Sequence, residues 1–136
     1  MDYPMKYQSV FRPGLFAGQI IIVTGGGSGL GRCTAHELAS LGATVALVGR
    51  KIEKLNAVQQ EIMTAGGKAS VHVCDIRDEA LVRSMVSTVL AQHGAIHHLV
   101  NNAGGQFPAL ARNLTLNGWE AVIKNNLTGG FLVSRE

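Results

Sequence analysis

Four short apolar runs in the sequence alternate with longer segments in which apolar residues recur every three or four positions. The runs cover residues 20–24, 44–48, 69–74 and 96–101. The first, second and fourth are nearly continuous in hydrophobic residues, which is typical of strands covered on both faces of a sheet. The pattern therefore predicts four buried β-strands separated by helices.

The first segment between the runs has clear helical spacing. Its predicted buried stripe is Leu30, Thr34, Leu38 and Leu41, because these positions fall on one face of a helix. Gly42 follows at the position where a glycine commonly ends a helix. We therefore predict a helix that follows the first strand directly and packs against the sheet.

Three further helices are predicted from spacing and end signals. The second carries apolar residues between positions 52 and 62, and the third is expected to have Asp78 as its N-cap and Gly94 at its end. The fourth begins near Thr115 and continues to the end of the sequence. Alternating strands and helices with short links imply right-handed βαβ units. We predict an α/β fold, namely a doubly wound Rossmann fold whose parallel sheet carries helices on both faces.

The composition excludes several functional classes. The chain has 136 residues, of which 46% are hydrophobic and 15% charged, so a buried core is expected and disorder is not. The net charge of +3 and the aromatic content of 5% argue against a nucleic-acid surface. The longest aliphatic run, residues 20–23, is far shorter than the roughly 18 residues that span a membrane. We expect neither a nucleic-acid nor a membrane partner.

The two cysteines, Cys33 and Cys74, are too few for a disulfide framework or a structural zinc site. We interpret them as reduced thiols of a cytoplasmic protein and predict no metal site. The adjacent His97 and His98 are interpreted as structural, because neighbouring strand residues face opposite ways and cannot easily bind one metal ion.

The sequence divides into two parts. Residues 1–18 are predicted to form an irregular leader that packs on the domain edge or is mobile, and residues 19–136 to form a Rossmann domain. Four strands are few for a doubly wound sheet, and the last predicted helix carries no stop signal. We expect residues 19–136 to be the N-terminal portion of a larger domain, although a short natural protein is the alternative.

A glycine-rich loop joins the first strand to the first helix. It reads Thr-Gly-Gly-Gly-Ser-Gly-Leu-Gly over residues 24–31. Glycine allows the backbone to turn tightly and to approach a ligand, and the helix that follows presents free N–H groups to a pyrophosphate. The position of the loop in a βαβ unit therefore indicates dinucleotide binding. The candidate cofactor-binding residues in the loop are Gly25, Gly27, Ser28, Gly29, Leu30 and Gly31.

The end of the second strand indicates which dinucleotide is bound. An enzyme that uses NAD usually has an acidic residue here, which binds the ribose 2′-hydroxyl. This chain has Arg50 and Lys51 instead, and both side chains suit a 2′-phosphate. We predict NADP as the cofactor, with Arg50 as its main contact; a solvated pair of cations opening the second helix is the alternative.

Residues 14–136 resemble the short-chain dehydrogenase/reductase family. The loop of residues 24–31 matches the family's T-G-x-x-x-G-x-G motif, and Asp75-Ile76 matches its adenine-contacting pair. Residues 101–104 match its N-N-A-G motif, and residues 126–129 match its asparagine segment. The extension through Gln106 and Phe107 is similar to the enoyl-CoA and 2,4-dienoyl-CoA reductases of fatty-acid metabolism.

The resemblance implies an NADP(H)-dependent oxidoreductase that transfers a hydride to or from a carbonyl or an enoyl thioester such as an acyl-CoA. It implies that Gln106 and Phe107 border an acyl pocket, and that the full-length protein is a homo-oligomer, a dimer or a tetramer. The family's active-site serine and Tyr-x-x-x-Lys pair are absent from this sequence, so the segment alone is expected to be inactive. The further cofactor contacts that the resemblance implies are Asp75, Ile76, Asn102, Ala103 and Gly104.

Asn126 is the one catalytic candidate. Its spacing from Val122 and Ile123 predicts a place on the buried face of the fourth helix. The family resemblance implies that it anchors a water molecule in a proton relay; a hydrogen-bonded core asparagine is the alternative. Asp75 likewise has an alternative interpretation as a turn or N-cap residue, and Asn102 is expected to form an Asx turn.

Two rival functions remain open at this level. One is a non-catalytic nucleotide-binding or redox-sensing module on the same fold, since a fold does not by itself define an activity. The other is an interaction or assembly domain that uses the fourth helix.

Overall fold

The computed structural model describes residues 9–136. Four parallel strands form one sheet in the order β3-β2-β1-β4. The strands are β1 (Ile20–Thr24), β2 (Thr44–Gly49), β3 (Lys68–Val73) and β4 (His98–Val100). The helices are α1 (Gly29–Ser40), α2 (Ile52–Thr64), α3 (Glu79–His93), α4 (Leu116–Ile123) and α5 (Gly129–Arg135). One π-helical turn, Lys124–Thr128, joins α4 to α5, and a short 3-10 turn, Ala111–Asn113, precedes α4. The predicted doubly wound parallel fold is confirmed.

Apolar residues on both faces of the sheet explain why the strands read as continuous hydrophobic runs. Ile20 and Ile22 pack in one cluster with residues of α3 and α5, whereas Ile21 and Val23 pack in the other with residues of α1 and α2. Successive strand residues face opposite sides, so each face of the sheet needs its own apolar set. The helices are thereby fixed on both faces, and the loops that join strands to helices gather at one edge.

The stripe predicted for α1 is confirmed at its end, where Leu41 is buried and Leu38 packs against the core, and is wrong at its start. Leu30 is 80% exposed, and the buried residues of this helix are Gly31, Ala35 and Ala39. The helix lies so close to the sheet that only small side chains fit there, and this close approach outweighs the preference for large apolar residues in the core.

The predicted helix ends agree with the structure where a specific hydrogen bond or backbone angle forms. The Asp78 carboxylate accepts a bond from the Leu81 N–H, and Thr115 caps α4 by accepting from the Gly118 N–H at 3.1 Å. Gly94 ends α3 with a φ of +80°, which glycine adopts without strain. Strand ends agree less well, because β4 covers three residues instead of the six predicted.

Residues 9–18 form turns that pack on the edge of the domain. Phe16 is half-buried against the α1–α2 side of the core, and its N–H donates to the Leu41 carbonyl at 3.0 Å. The first eight residues of the expected leader lie outside the described part of the chain.

The two adjacent histidines have different partners. The Ile20 N–H donates to His97 Nδ1 at 2.9 Å, and His98 Nε2 bonds to the Gln19 side chain. Within residues 9–136 no three His, Cys, Asp or Glu side chains gather in a metal-binding arrangement. In the same range, no helix is both long enough and apolar enough to cross a membrane.

Candidate functional site

A cleft of about 380 Å³ opens at the carboxyl ends of the strands. This is where ligands bind in open parallel sheets. The walls come from all four strand ends: the β1–α1 loop, the β2–α2 junction, the residues after β3 and the residues after β4. The predicted residues that line the cleft are Gly25, Gly27, Ser28, Arg50, Lys51, Asp75, Ile76, Asn102, Ala103 and Gly104.

The β1–α1 loop requires glycine at two positions. Gly25 has a φ of +67°, which favours glycine. A Cβ at Gly31 would lie 2.2 Å from the Gly25 carbonyl oxygen, so any side chain there would force the loop and α1 apart. The loop therefore holds the N-terminus of α1, with its free N–H groups, beside the cleft.

Three of the predicted loop residues do not line the cleft. Gly29 has a φ of +52° and open space around its α-carbon, and Leu30 points into solvent. Gly31 is buried behind the loop. Ser28 is the N-cap of α1 and lines the cleft, and its side chain makes no capping bond, so its hydroxyl is available to a ligand.

Thr24 and Asn102 join the ends of β1 and β4. The buried Thr24 hydroxyl accepts bonds from the N–H groups of Asn102 and Ala103, both at 3.0 Å, and donates to the Val100 carbonyl at 3.2 Å. The Asn102 amide donates to the Thr24 carbonyl at 3.0 Å. The Asx turn expected of Asn102 is wrong, because its side chain bonds across to the glycine loop rather than to its own turn.

Asp75 lies after β3 with its carboxylate held by Arg77. Arg77 Nε donates to Asp75 Oδ1 at 2.8 Å, and a terminal guanidinium nitrogen donates to Oδ2 at 2.5 Å. These bonds lower the pKa of Asp75 to about 2, with a smaller contribution from the charge of Arg50. Asp75 is therefore a fixed anionic acceptor at the cleft wall. The backbone N–H of Arg77 also donates to the Asp75 carboxylate. Asp75 therefore forms a turn as well, which is the alternative interpretation given for it above.

The β2 side of the cleft is basic. Arg50, Lys51 and Lys54 line it with exposed side chains, and within residues 9–136 none of the three forms an ion pair. Lys54 was missed in the sequence, although it lies only three residues after Lys51, the N-cap of α2. Its nearness to the glycine loop depends on how α2 packs, which spacing alone does not show.

A second, largely apolar cleft of about 370 Å³ lies beside the first. Its lining residues are Gly105, Gln106, Phe107, Leu114, Trp119, Val122 and Asn126. Phe107 packs on Gly118 so closely that a Cβ at Gly118 would lie 2.7 Å from the ring. The chain between the two clefts passes through Gly104 and Gly105.

Asn126 is exposed, so its predicted place on the buried face is wrong. The π-helical turn that contains it departs from the α-helical spacing on which the prediction depended. Its amide nitrogen donates to the carbonyls of Gly105 at 2.7 Å and Val122 at 2.8 Å, and its amide oxygen accepts from the Gly105 N–H at 3.2 Å. The side chain thus fixes the chain segment that separates the two clefts.

An open parallel sheet with a glycine loop, a helix N-terminus and a carboxylate at its topological switch point defines a nucleotide-binding protein of the Rossmann class. Comparison with known proteins gives the family. A family model described as short chain dehydrogenase matches residues 19–136, and the chain belongs to this family. The resemblance seen in the sequence is confirmed.

Several named enzymes are similar to this protein over most of its length. A probable 2,4-dienoyl-CoA reductase from Bacillus subtilis is 37% identical over 115 residues, which are 85% of this chain and 45% of the relative. The solved structure of a citronellol catabolism dehydrogenase (AtuB) from Pseudomonas aeruginosa PAO1 is 60% identical, with a TM-score of 0.92 over 96% of this chain and 53% of that one. The chain thus spans about half the length of the relatives it matches.

Relatives solved with cofactors carry both forms of the nicotinamide dinucleotide. A metagenomic short-chain oxidoreductase in complex with NADP is 41% identical, with a TM-score of 0.83 over 88% of this chain and 55% of that one. An NAD+-bound xylitol dehydrogenase is 33% identical, with a TM-score of 0.86 over 89% of this chain and 47% of that one. The family uses nicotinamide cofactors, and the preference between them depends on the residues of each chain.

Proposed function

We propose that the protein is an NADP(H)-dependent oxidoreductase that transfers a hydride to or from a carbonyl or enoyl group on a substrate with an apolar chain. The observation that carries the proposal is the basic β2 side of the cofactor cleft, where Arg50 and Lys51 stand. A carboxylate at this position would bind a ribose 2′-hydroxyl and repel a 2′-phosphate. Arginine instead offers a phosphate two parallel N–H donors.

The cleft residues fit the remaining parts of the dinucleotide. The N-terminus of α1 and the hydroxyl of Ser28 are placed for the pyrophosphate. Asp75 keeps acceptor capacity for an adenine amino group even while Arg77 bonds to it, since a carboxylate has about four acceptor positions. Ile76 supplies an apolar wall, and the bound nicotinamide supplies the hydride chemistry.

In this proposal, the segment after β4 contacts the nicotinamide end of the cofactor. Ala103 and Gly104 leave room beside β1, and a Cβ at Gly104 would lie 2.4 Å from Asn126 Oδ1. Asn126 lies between the two clefts, which supports a part in the proton relay. In this role the Asn126 side chain holds Gly105 in place through its two hydrogen bonds, and a water molecule of the relay would lie beside Gly105.

The apolar cleft supports two substrate classes. Gln106 and Phe107 line it, in keeping with an acyl chain of an enoyl-CoA or dienoyl-CoA substrate. The 60%-identical citronellol catabolism dehydrogenase favours a second candidate, a branched acyclic alcohol or its aldehyde. Both classes place an uncharged chain against Phe107, and they differ in the group that carries the reacting carbon.

Activity of the complete protein tests the substrate class. NADPH oxidation is measured with crotonyl-CoA, a dienoyl-CoA and citronellal, and NADP reduction is measured with citronellol. Turnover of any of these supports the oxidoreductase proposal and selects the class. NADPH binding without turnover of any of them would instead favour a nucleotide-binding or redox-sensing module.

Charge reversal at Arg50 tests the cofactor preference. In Arg50→Asp, we expect NADPH affinity to fall at least about 10-fold, since a charge-assisted bond is lost and a like charge is added, whereas NADH affinity changes little or rises. Arg112→Asp is the matched control, because Arg112 is exposed and lies outside the cleft. An unchanged NADPH-to-NADH ratio in Arg50→Asp contradicts the assignment.

The proposal assigns residues 19–136 to the cofactor-binding part of a longer Rossmann domain in a homo-oligomeric enzyme. Its support is the match of these residues to about half of each relative. Light scattering of the complete protein measures the assembly, and a monomer at micromolar concentration contradicts that part of the proposal.

A further inference from the structure

Lys54 lies on the first turns of α2, where this helix touches the glycine loop. A Cβ built on Gly27 would lie 3.1 Å from the Lys54 Cβ and 3.4 Å from a methyl group of Leu55. The Lys54 side chain therefore leaves α2 at the loop itself, and it lines the cleft together with Gly27 and Ser28. It stands on the glycine-loop side of the same basic region to which Arg50 belongs.

The charges at this end of the cleft are not neutralised by the protein. Asp75 is the only carboxylate among the described cleft-lining residues, and Arg77 already binds it through both oxygens. The side chains of Arg50, Lys51 and Lys54 make no hydrogen bond or ion pair within residues 9–136. Three unpaired cations on one wall fit a ligand group with more than one negative charge.

A phosphate monoester is such a group, since it carries about −1.5 to −2 charges at pH 7. One guanidinium offsets only part of that charge, and Arg50 reaches the phosphate from the β2 side alone. The ammonium of a lysine acts as a compact point charge on a flexible stem. Of the two lysines, Lys54 is the one whose Cβ lies beside Gly27, so a phosphate near the glycine loop is within the region that its side chain lines.

We propose that Lys54 is a specificity-determining residue, a second cation that binds the cofactor 2′-phosphate from the glycine-loop side while Arg50 binds it from the end of β2. This inference rests on the NADP(H) preference proposed above. It also gives Gly27 a role, because a side chain at that position would displace the stem of Lys54 from the cleft.

Lys54→Met in the complete protein tests the inference. Methionine retains an unbranched apolar stem, so the packing beside Gly27 is kept while the charge is lost. We expect the dissociation constants of NADPH and of adenosine 2′,5′-bisphosphate to rise about 10-fold, and those of NADH and adenosine 5′-monophosphate to change less than about twofold. Lys68→Met is the matched control, since Lys68 is exposed at the start of β3, outside the cleft. Lys54→Arg keeps the charge and should keep the preference for NADPH.

The outcomes separate this inference from the proposed function. Equal weakening of NADPH and NADH in Lys54→Met would assign Lys54 to the pyrophosphate and overturn the inference. A wild-type preference for NADPH that survives unchanged in Lys54→Met would also overturn it, while leaving Arg50 as the phosphate residue. A wild-type protein that binds NADH at least as tightly as NADPH overturns both the cofactor proposal and this inference. If circular dichroism shows that Lys54→Met is unfolded, Lys54→Gln removes the same charge. The ratio of its NADPH and NADH dissociation constants then tests the inference in the same way.

Discussion

At the scale of single residues, the closest contact behind the cofactor cleft involves Gly31. A Cβ there would lie 2.2 Å from the Gly25 carbonyl oxygen and 2.5 Å from the Asn102 amide nitrogen. Backbone cannot move aside as a flexible side chain can, so the smallest added group separates α1 from the strand ends.

We expect Gly31→Ala to lower the free energy of unfolding by about 1–3 kcal/mol, the usual cost of overpacking, and to weaken NADPH binding at least about 10-fold. Urea unfolding and cofactor titration measure the two effects. Gly130→Ala is the control, because the nearest side-chain atom there is 3.8 Å from the added Cβ. Alanine in that helix should leave stability unchanged or raise it by up to about 1 kcal/mol. Unchanged NADPH binding in a folded Gly31→Ala protein would contradict the description of the loop.

The low pKa of Asp75 predicts a stability that depends on pH. The bonds from Arg77 hold this pKa at about 2 in the folded protein, below the value near 3.9 of an unfolded chain. The ionised form is therefore favoured by folding, so its contribution is complete above about pH 4 and is lost as the pH falls towards 2.

We expect Asp75→Asn to lower the free energy of unfolding by about 1–2 kcal/mol at pH 7, and about half of this difference to be gone at pH 3. Denaturant unfolding at the two pH values measures it. Glu120→Gln is the control, since Glu120 is exposed and forms no ion pair within the described residues. A difference that grows as the pH falls from 7 to 3 would contradict the sign of the pKa shift.

Single residues also show what the sequence could predict about the site. Arg50, Asp75 and Asn102 follow strand ends, and parallel strands bring their carboxyl ends to one edge, so order along the chain was sufficient to place them. The positions of Lys54 and Thr24 in the site could not be predicted from order along the chain, because they depend on tertiary packing. The cleft position of Lys54 depends on the packing of α2 against the loop. The bonds of Thr24 depend on β1 and β4 being neighbours, although Asn102 lies 78 positions after Thr24 in the sequence.

At the scale of elements, one hydroxyl joins β1 to β4. Thr24 Oγ1 accepts hydrogen bonds from the N–H groups of Asn102 and Ala103 and donates one to the carbonyl of Val100. Thr24 is 1% exposed. Because β4 is only three residues long, these bonds make up a large part of what holds its end in register with β1.

We expect Thr24→Val to lower the free energy of unfolding by about 1–3 kcal/mol, since the Ala103 N–H would lose its acceptor while the Asn102 N–H keeps a bond to the Val100 carbonyl, and to weaken NADPH binding. Thr24→Ser keeps the hydroxyl and should recover most of the stability. Thr44→Val is the matched control on the neighbouring strand. Thermal and urea unfolding compare the three variants, and equal losses in Thr24→Val and Thr24→Ser would mean that the methyl group, not the hydroxyl, is the important part.

Helices were predicted more accurately at their ends than in their interiors. Asp78, Thr115 and Gly94 mark ends because capping bonds and a left-handed backbone are local properties of a few residues. The turn containing Asn126 was not foreseen, because its π-helical spacing accompanies a tertiary contact, the hydrogen bonds between the Asn126 amide and Gly105. A periodic apolar pattern carries no information about such a contact.

At the scale of the whole molecule, one short segment of chain separates the two clefts. Gly104 borders the cofactor cleft, Gly105 borders the apolar cleft, and Asn126 holds Gly105 through two hydrogen bonds. A Cβ would lie 2.4 Å from the Asn126 side chain at Gly104 and 2.6 Å from the Asn125 side chain at Gly105, so a side chain at either position would displace one of these amides. In the proposed function, cofactor and substrate meet across this segment, and each has its own recognition surface.

This separation predicts that substrate and cofactor recognition can be altered independently. Val122 lines the apolar cleft on the face of α4, outside the cofactor cleft. In the complete protein, we expect Val122→Phe to raise KM for the longest accepted substrate at least about 10-fold, since the larger ring removes volume that a chain of several methylenes needs. The dissociation constant of NADPH should stay within about twofold of the wild-type value. Val10→Phe, at a position 95% exposed, is the matched control. A parallel loss of NADPH affinity in Val122→Phe would show that the clefts are coupled through Asn126 and Gly105, and an unchanged KM would place the substrate chain elsewhere.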